Sequence, residues 1–424
     1  VPERLVIAGG RRLSGLVRTS SAKNAVLPMM AAALLTPDEC TLREVPRLRD
    51  VEVMGQILTC LGVDVLAEPD PLGRGLTLVI RSPNLSTHVC PEWLMGEMRS
   101  SIFLMGALLG RLGQVDVAYP GGCSIGPRPI DLHLYGLRAL GARVEERHGR
   151  IQAQARRLTG CEVHLELPSV GATENIILAA VLAAGTTTIR NPAKEPEIKD
   201  LAHLLNAMGA RIRGAGGDPV VIEGVEGLHG AAHTPIPDRI EAGTLLLATA
   251  VTRGEVTITN VIPKHHSALL TKLRQAGALV ETGPDCVMVR MDGRPAAVDC
   301  RTQPYPGFPT DLQPPLMSMC AVADGTSVIT ENIYERRFNQ AEELRKMGAN
   351  IRIEGRSAIV KGVDRLYGAR VRVHDLRAGA ALVLAGLAAE GTTLVEDVFH
   401  IDRGYDGLER KLSCLGAEVR RTRG

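Results

Sequence analysis

Hydrophobic and polar positions along the chain switch between two periods, and the switch recurs six times. Its marks are Leu61-Gly62-Val63-Asp64-Val65, Leu140-Gly141-Ala142-Arg143-Val144, Met208-Gly209-Ala210-Arg211-Ile212, Ala276-Gly277-Ala278-Leu279-Val280, Met347-Gly348-Ala349-Asn350-Ile351 and Leu415-Gly416-Ala417-Glu418-Val419. Residues before each glycine follow a helical period and those after it read as a strand. A glycine at that junction predicts a helix ending in the left-handed conformation, which costs a residue without Cβ least. Successive glycines are 79, 68, 68, 71 and 68 residues apart.

A second landmark precedes each mark, a turn followed by a β-branched strand: Cys40-Thr41-Leu42, Gly113-Gln114-Val115, Gly185-Thr186-Thr187, Gly254-Glu255-Val256, Gly325-Thr326-Ser327 and Gly391-Thr392-Thr393. The unit therefore reads strand, loop, helix, strand. From landmark glycine to cap glycine the last five units measure 28, 24, 23, 23 and 25 residues. The second unit is the long one, and its extra residues fall in Pro120-Gly121-Gly122-Cys123-Ser124-Ile125-Gly126. An insertion confined to one copy of a structural repeat is where specialised function is expected.

A chain of 424 residues exceeds the size at which one core stops growing, so six units divide into three per domain. The segment His233-Thr234-Pro235-Ile236-Pro237 suits a crossover, and the cleft between the domains is the default ligand site. The longest apolar runs, Ile176 to Ala184 and Ala380 to Ala389, fall short of the roughly 20 residues of a membrane span and predict buried helices. Lys+Arg 49 against Asp+Glu 47 argues against nucleic acid or a membrane surface as partner, and 3% aromatic residues leave little for base stacking. The first residues lack an apolar segment of signal-peptide length, which predicts a cytoplasmic protein. Nine cysteines show no Cys-x-x-Cys spacing, and most are expected reduced, buried and inert. His265-His266 has no partner in metal-ligand spacing and no glycine pattern matches a phosphate loop or dinucleotide fingerprint, so neither metal nor cofactor is expected.

Three clusters carry candidate chemistry. Ser20-Ser21-Ala22-Lys23-Asn24-Ala25 opens an apolar helical run, where a serine cap, free backbone N–H groups and Lys23 would suit an anion; an ordinary capped helix with a solvated lysine has the same look. The long loop holds Cys123 near Arg128, and a thiol beside a cation can act as proton donor or nucleophile. Asp311 follows a proline-rich stretch in Phe308-Pro309-Thr310-Asp311, which suits a positioned base or a plain turn. Arg99, Arg377 and Arg403 complete a cationic set.

Together Ala22-Lys23-Asn24-Ala25, Met98-Arg99-Ser100-Ser101, the Pro120 to Pro129 loop, Ser169-Val170-Gly171-Ala172-Thr173, Pro237-Asp238-Arg239-Ile240-Glu241, Phe308-Pro309-Thr310-Asp311, Asp375-Leu376-Arg377-Ala378 and His400-Ile401-Asp402-Arg403-Gly404 resemble the UDP-N-acetylglucosamine enolpyruvyl transferase (1-carboxyvinyltransferase) family. The resemblance implies an α/β, two-domain enolpyruvyl transferase fold of six βαβαββ repeats, three per domain, forming an inside-out α/β barrel. One domain would be 21–235 with the Cys123 loop, the other 1–20 plus 236–424, with the active site in the interdomain cleft. The implied substrates are phosphoenolpyruvate and UDP-N-acetylglucosamine, in the first committed step of peptidoglycan synthesis.

Carried over by motif, Cys123, Asp311, Lys23, Arg403, Asp375 and Arg377 would be catalytic. Lys23, Asn24, Arg128 and Arg403 would hold phosphoenolpyruvate. Arg99, Arg128, Pro129, Ile130, Asp131, Leu132, Ser169, Val170, Gly171, Asp311 and Ile333 would line the UDP-sugar site. Cys123 would donate a proton and Asp311 would orient or deprotonate the sugar 3′-hydroxyl. No cofactor, metal, nucleic acid or membrane is implied, and a monomer is compatible with the sequence. The rival readings are a transferase acting on shikimate 3-phosphate, an RNA-end cyclase of related topology and a non-catalytic UDP-sugar-binding paralogue. Leu167, Pro168, Ser21 and His374 are departures from the family pattern.

Overall fold

All six cap glycines adopt left-handed backbone, with φ of 89° at Gly62, 95° at Gly141, 100° at Gly209, 95° at Gly277, 93° at Gly348 and 93° at Gly416. The helices they end are Arg49–Cys60, Asp131–Ala139, Pro196–Ala207, Ser267–Gln275, Gln340–Lys346 and Leu408–Cys414, and in every case a strand starts two residues after the glycine. This computed structural model describes residues 3–121, 129–335 and 337–423. Cys123 and Arg128, with their neighbours from 122 to 128, lie outside the described residues.

The chain divides into two compact units, one holding the described residues from Ser21 to Ile236, the other the segment up to Ser20 together with everything from Pro237. Each contains three sheets of one design. In Cys300–Arg301, Thr326–Thr330, Ser357–Lys361, Asn350–Glu354, given in spatial order, the first strand pairs parallel and the others antiparallel. The fold is mixed α/β, and among the described residues each sheet is open. The second repeat replaces its parallel strand with a single bridge, Val89 to Asp116.

Three repeats borrow a strand. The first takes Ala232–His233 as its parallel edge. The fourth takes Ser14–Arg18, and the sixth takes Glu3–Ala8 between Thr392–Glu396 and Glu418–Arg423. The whole unit from Ser21 to Ile236 is thus inserted between strand Ser14–Arg18 and helix Arg239–Val251 of the fourth repeat.

Each repeat also contributes a helix that is apolar nearly all round, the signature of a helix with no solvent face. In the inserted unit Phe103–Leu112 packs on Lys23–Ala32 and on Val170–Ala180. In the other, Arg239–Val251, Gln313–Ala321 and Leu376–Ala388 pack on one another. Leu27, Leu104, Ile176, Leu246, Leu316 and Leu382 are fully buried there, each side chain contributing about 1.5–3 kcal/mol. The N-terminal ends of these helices carry most of the candidate residues.

Candidate active site

In the inserted unit, helix Lys23–Ala32 starts without a side-chain cap: Ala22 holds the cap position in extended backbone, so the serines do not perform the expected capping. Lys23 is also not a solvated lysine. It is 7% exposed and forms an ion pair with Asp50 at 2.5 Å, itself 3% exposed in the first turn of Arg49–Cys60. A buried ammonium keeps its charge when a buried carboxylate lies beside it. Asn24 is half-buried next to it.

Arg99 begins a short 3₁₀ turn, Arg99–Ile102, and its Nη2 donates to the carbonyl of Pro129 at 3.4 Å. Pro129 and Ile130 lead into helix Asp131–Ala139, with Asp131 exposed and Leu132 half-buried at its start. Ser169 caps helix Val170–Ala180, its Oγ accepting from the Ala172 N–H at 3.3 Å. The two segments meet at His133. Its ring packs where a Cβ on Gly171 would fall, 2.9 Å from Cε1, and its Nδ1 lies 3.0 Å from the Asn175 amide nitrogen. Just before the undescribed loop, Gly121 donates to Met95 O at 3.1 Å, and a Cβ there would fall 1.8 Å from Gly96 O. Only glycine fits that approach.

In the other unit, Asp311 lies in the turn Thr310–Leu312 and is clamped by two buried guanidiniums. Arg337 Nη1 approaches Oδ1 at 2.7 Å, and Arg377 Nε and Nη2 donate to Oδ2 at 3.2 and 3.0 Å. Burial by itself would raise the Asp311 carboxyl, but Arg337 and Arg377 outweigh it and hold the group well below the usual carboxylate range. Arg337 Nε and Arg377 Nη1 are buried without a hydrogen-bond partner among the described residues. Arg377 also sits over the Tyr405 ring, 5.2 Å from its centre, which favours its charged form.

Asp375 caps helix Leu376–Ala388, its Oδ1 accepting from the N–H groups of Arg377 and Ala378 at 3.0 and 2.9 Å. This fixes the first turn from which Arg377 projects. Half-buried Arg403 follows the turn Phe399–Asp402, and burial together with the Arg403 charge pushes the His400 imidazole down. Ile333 is half-buried beyond strand Thr326–Thr330.

The structure thus joins Arg99 to Pro129, the Pro129–Leu132 stretch to Gly171 through His133, and Asp311 to Arg377. Three side chains escaped the sequence reading: Asp50, Arg337 and His133. Asp50 looked like ordinary acid in a helix first turn. Arg337 stands in Glu335-Arg336-Arg337, and nothing in the pattern marks it as buried. The chemical capacity is clear in each cluster: a buried ammonium on one, and on the other a carboxylate kept anionic by two guanidiniums, a hydrogen-bond acceptor aimed by fixed donors.

Eight cysteines are described, all free; Cys40, Cys90, Cys300 and Cys320 are buried but Cys60 and Cys414 are exposed, so burial is less general than expected. Among the described residues no cluster of three metal-ligating side chains occurs, and no helix is long and apolar enough to cross a membrane.

The family profile described as EPSP synthase (3-phosphoshikimate 1-carboxyvinyltransferase) matches residues 7–412. UDP-N-acetylglucosamine 1-carboxyvinyltransferase 1 of Symbiobacterium thermophilum is 56% identical over 99% of this chain and 95% of its own length. UDP-N-acetylglucosamine 1-carboxyvinyltransferase 2 of Caldanaerobacter subterraneus subsp. tengcongensis is 51% identical over 97% of this chain and 98% of its own. Among solved structures, the enolpyruvyl transferase NikO from Streptomyces tendae superposes with a TM-score of 0.88 at 29% identity, covering 99% of both chains. EPSP synthase from Acinetobacter baumannii gives 0.74 at 17% identity over the full length of both, a likeness of fold.

Proposed function

Since the chain belongs to the EPSP synthase family of enolpyruvyl transferases, and within it to the UDP-N-acetylglucosamine 1-carboxyvinyltransferases, we propose that it transfers the enolpyruvyl group of phosphoenolpyruvate to the 3′-hydroxyl of UDP-N-acetylglucosamine and releases phosphate. The observation that carries the acceptor assignment is 56% identity along nearly the whole chain to a protein named for that acceptor, against 17% to EPSP synthase.

The chemistry is addition followed by elimination. A proton is added to the vinyl CH₂, the sugar oxygen bonds to the neighbouring carbon to give a tetrahedral ketal, and loss of phosphate with a methyl proton restores the double bond. Phosphoenolpyruvate brings several negative charges, which Lys23, Arg128 and Arg403 would meet with Asn24 donating beside them. Cys123 would supply the proton; a positioned acid contributes roughly 10²–10⁴ in rate.

The Arg337 and Arg377 clamp sharpens the role of Asp311. A carboxylate held so far below its usual range is a weak base but a dependable acceptor, so Asp311 would orient the sugar hydroxyl and receive its proton only as bonding to carbon develops. Asp375 would set the position of Arg377. Arg99, Pro129 to Leu132, Ser169 to Gly171, Asp311 and Ile333 would hold the UDP-sugar, with His133 binding two of these segments together. With that product the reaction would belong to peptidoglycan synthesis and would run in the cytoplasm, and the epoxide fosfomycin would alkylate Cys123.

The test is phosphate release from phosphoenolpyruvate with each acceptor in turn. Release with UDP-N-acetylglucosamine and none with shikimate 3-phosphate is expected; the reverse would overturn the reading.

A further inference from the structure

Glu331 is fully buried and lies one residue beyond strand Thr326–Thr330. Among the described residues its hydrogen-bond donors are all neutral. Its Oε1 accepts from Thr302 Oγ1 at 2.7 Å, from the Ile333 N–H at 2.8 Å and from the Tyr334 N–H at 3.1 Å. Its Oε2 accepts from Thr310 Oγ1 at 2.9 Å. One carboxylate therefore ties the backbone at Ile333 to the residue that precedes Asp311.

The direction of these bonds matters. A hydroxyl has one proton, and Thr310 gives it to Glu331, so its oxygen is free to accept from Arg337 Nη1 at 3.0 Å. The same Arg337 nitrogen reaches Asp311 Oδ1 at 2.7 Å. A polarised chain runs from Glu331 through Thr310 and Arg337 to Asp311. Thr302 repeats the logic on the other side, donating to Glu331 while accepting from the Asn332 N–H at 2.9 Å.

We propose that Glu331 is a positioning residue for the transfer reaction, setting the direction of the Thr310 hydroxyl so that Arg337 is aimed at Asp311, while fixing Ile333 in the same step. The inference rests on the assignment of Asp311 and Ile333 to the UDP-sugar side. With no exposed surface, Glu331 would act through its neighbours and not on substrate directly. Its contribution is the polarity of the network, which an amide of the same shape reverses.

In Glu331→Gln the amide oxygen must face Thr302, Ile333 and Tyr334, because an NH₂ there would meet three donors. The NH₂ is then left facing Thr310. It donates to that oxygen, so the hydroxyl proton loses the acceptor that fixed its direction and the oxygen is shared between the amide and Arg337. Misplacing a reacting group by about 1 Å can cost on the order of 10²-fold, and a fall of that order in kcat/KM for UDP-N-acetylglucosamine is expected.

Among the described residues, the charges that act on Asp311 are those of Arg337, Arg377 and Arg239. With Arg337 turned aside, the acidic limb of the kcat/KM profile should move to higher pH, which a general loss of stability would not produce. Thr310→Ser, which keeps the hydroxyl, should behave as the parent, and Thr310→Val should behave as Glu331→Gln. Should Glu331→Gln fail to fold, the two Thr310 variants decide, and equal activity in both would overturn the proposal. So would parental kinetics and an unmoved limb in folded Glu331→Gln. Asp311→Asn separates the two levels: if it abolishes turnover while Glu331→Gln is unaffected, only the positioning inference falls, and if it turns over normally the role of Asp311 falls as well.

Discussion

Asp50→Asn isolates the electrostatic work done by the Lys23 ion pair, since it keeps the shape of the side chain and removes only its charge. Both partners are under a tenth exposed and stand 2.5 Å apart. Losing one member of a buried pair leaves an uncompensated charge and costs about 3–5 kcal/mol. For a unit of this size a destabilisation of 1 kcal/mol lowers Tm by about 2–4 °C, so the unfolding transition should fall by roughly 10 °C. Phosphoenolpyruvate should reverse part of this. A ligand at a hundred times its Kd stabilises by about 2.7 kcal/mol, and in the variant its anionic groups would also meet a lysine deprived of Asp50. The upward shift in Tm on adding phosphoenolpyruvate should therefore be larger in Asp50→Asn than in the parent. Thermal unfolding with and without ligand measures both quantities. A ligand-free Tm within about 2 °C of the parent, below what the loss of 1 kcal/mol produces, or equal ligand shifts in the two proteins, would refute the reasoning.

Cys123→Ser should lose nearly all phosphate release, whereas Cys123→Asp keeps measurable turnover because a carboxylic acid can still donate a proton; full activity of the serine variant would remove the acid role. Glu174→Gln should stabilise the protein at neutral pH. Burial, with Glu197 and Glu195 nearby, pushes this carboxyl well above its ordinary value, and neither of its oxygens has a hydrogen-bond partner among the described residues. The folded state thus keeps a proton that the unfolded chain releases above about pH 4.5, so stability falls as pH rises beyond that point. The gain from Glu174→Gln should grow from pH 4.5 to pH 8 in thermal scans, and a pH-independent gain would contradict this. Native-state alkylation with iodoacetamide should mark exposed Cys60 and Cys414 and spare Cys90 and Cys300, whose thiols burial pushes up to about 12. Peptide mapping that finds Cys90 modified as fast as Cys60 would count against that packing.

The repeat was legible because each cap glycine meets a local steric demand, the left-handed turn between Leu61 and Val63 or between Leu415 and Ala417, that leaves the same mark wherever it occurs. The borrowed strands were not. Nothing in Glu3–Ala8 states that it completes a sheet with Glu418–Arg423, because strand pairing is written in tertiary packing and not in a local period. The same divide runs through the candidate site. Lys23, Asp311 and Arg377 stand in recognisable stretches. Asp50, Arg337 and Glu331 act on them from 27, 26 and 20 positions away, and a buried ion pair or a polarised hydrogen-bond chain has no spacing rule that a linear reading could detect. The capping expected of Ser20 or Ser21 failed for a physical reason: extended Ala22 takes the cap position, and Lys23 turns inward to Asp50.

The insertion of one unit within the fourth repeat has a consequence for synthesis. Strand Glu3–Ala8 must wait for Glu418–Arg423, more than 400 residues later, which at 5–20 residues per second means roughly 20–80 s on the ribosome. The inserted unit, sealed by Ala232–His233, can close long before. Folding order therefore departs from chain order, and Glu3–Ala8, translated before the inserted unit, is among the last segments to find its place. Deleting residues 1–20 would spare the earlier-folding unit and take one strand from each of two sheets of the later one.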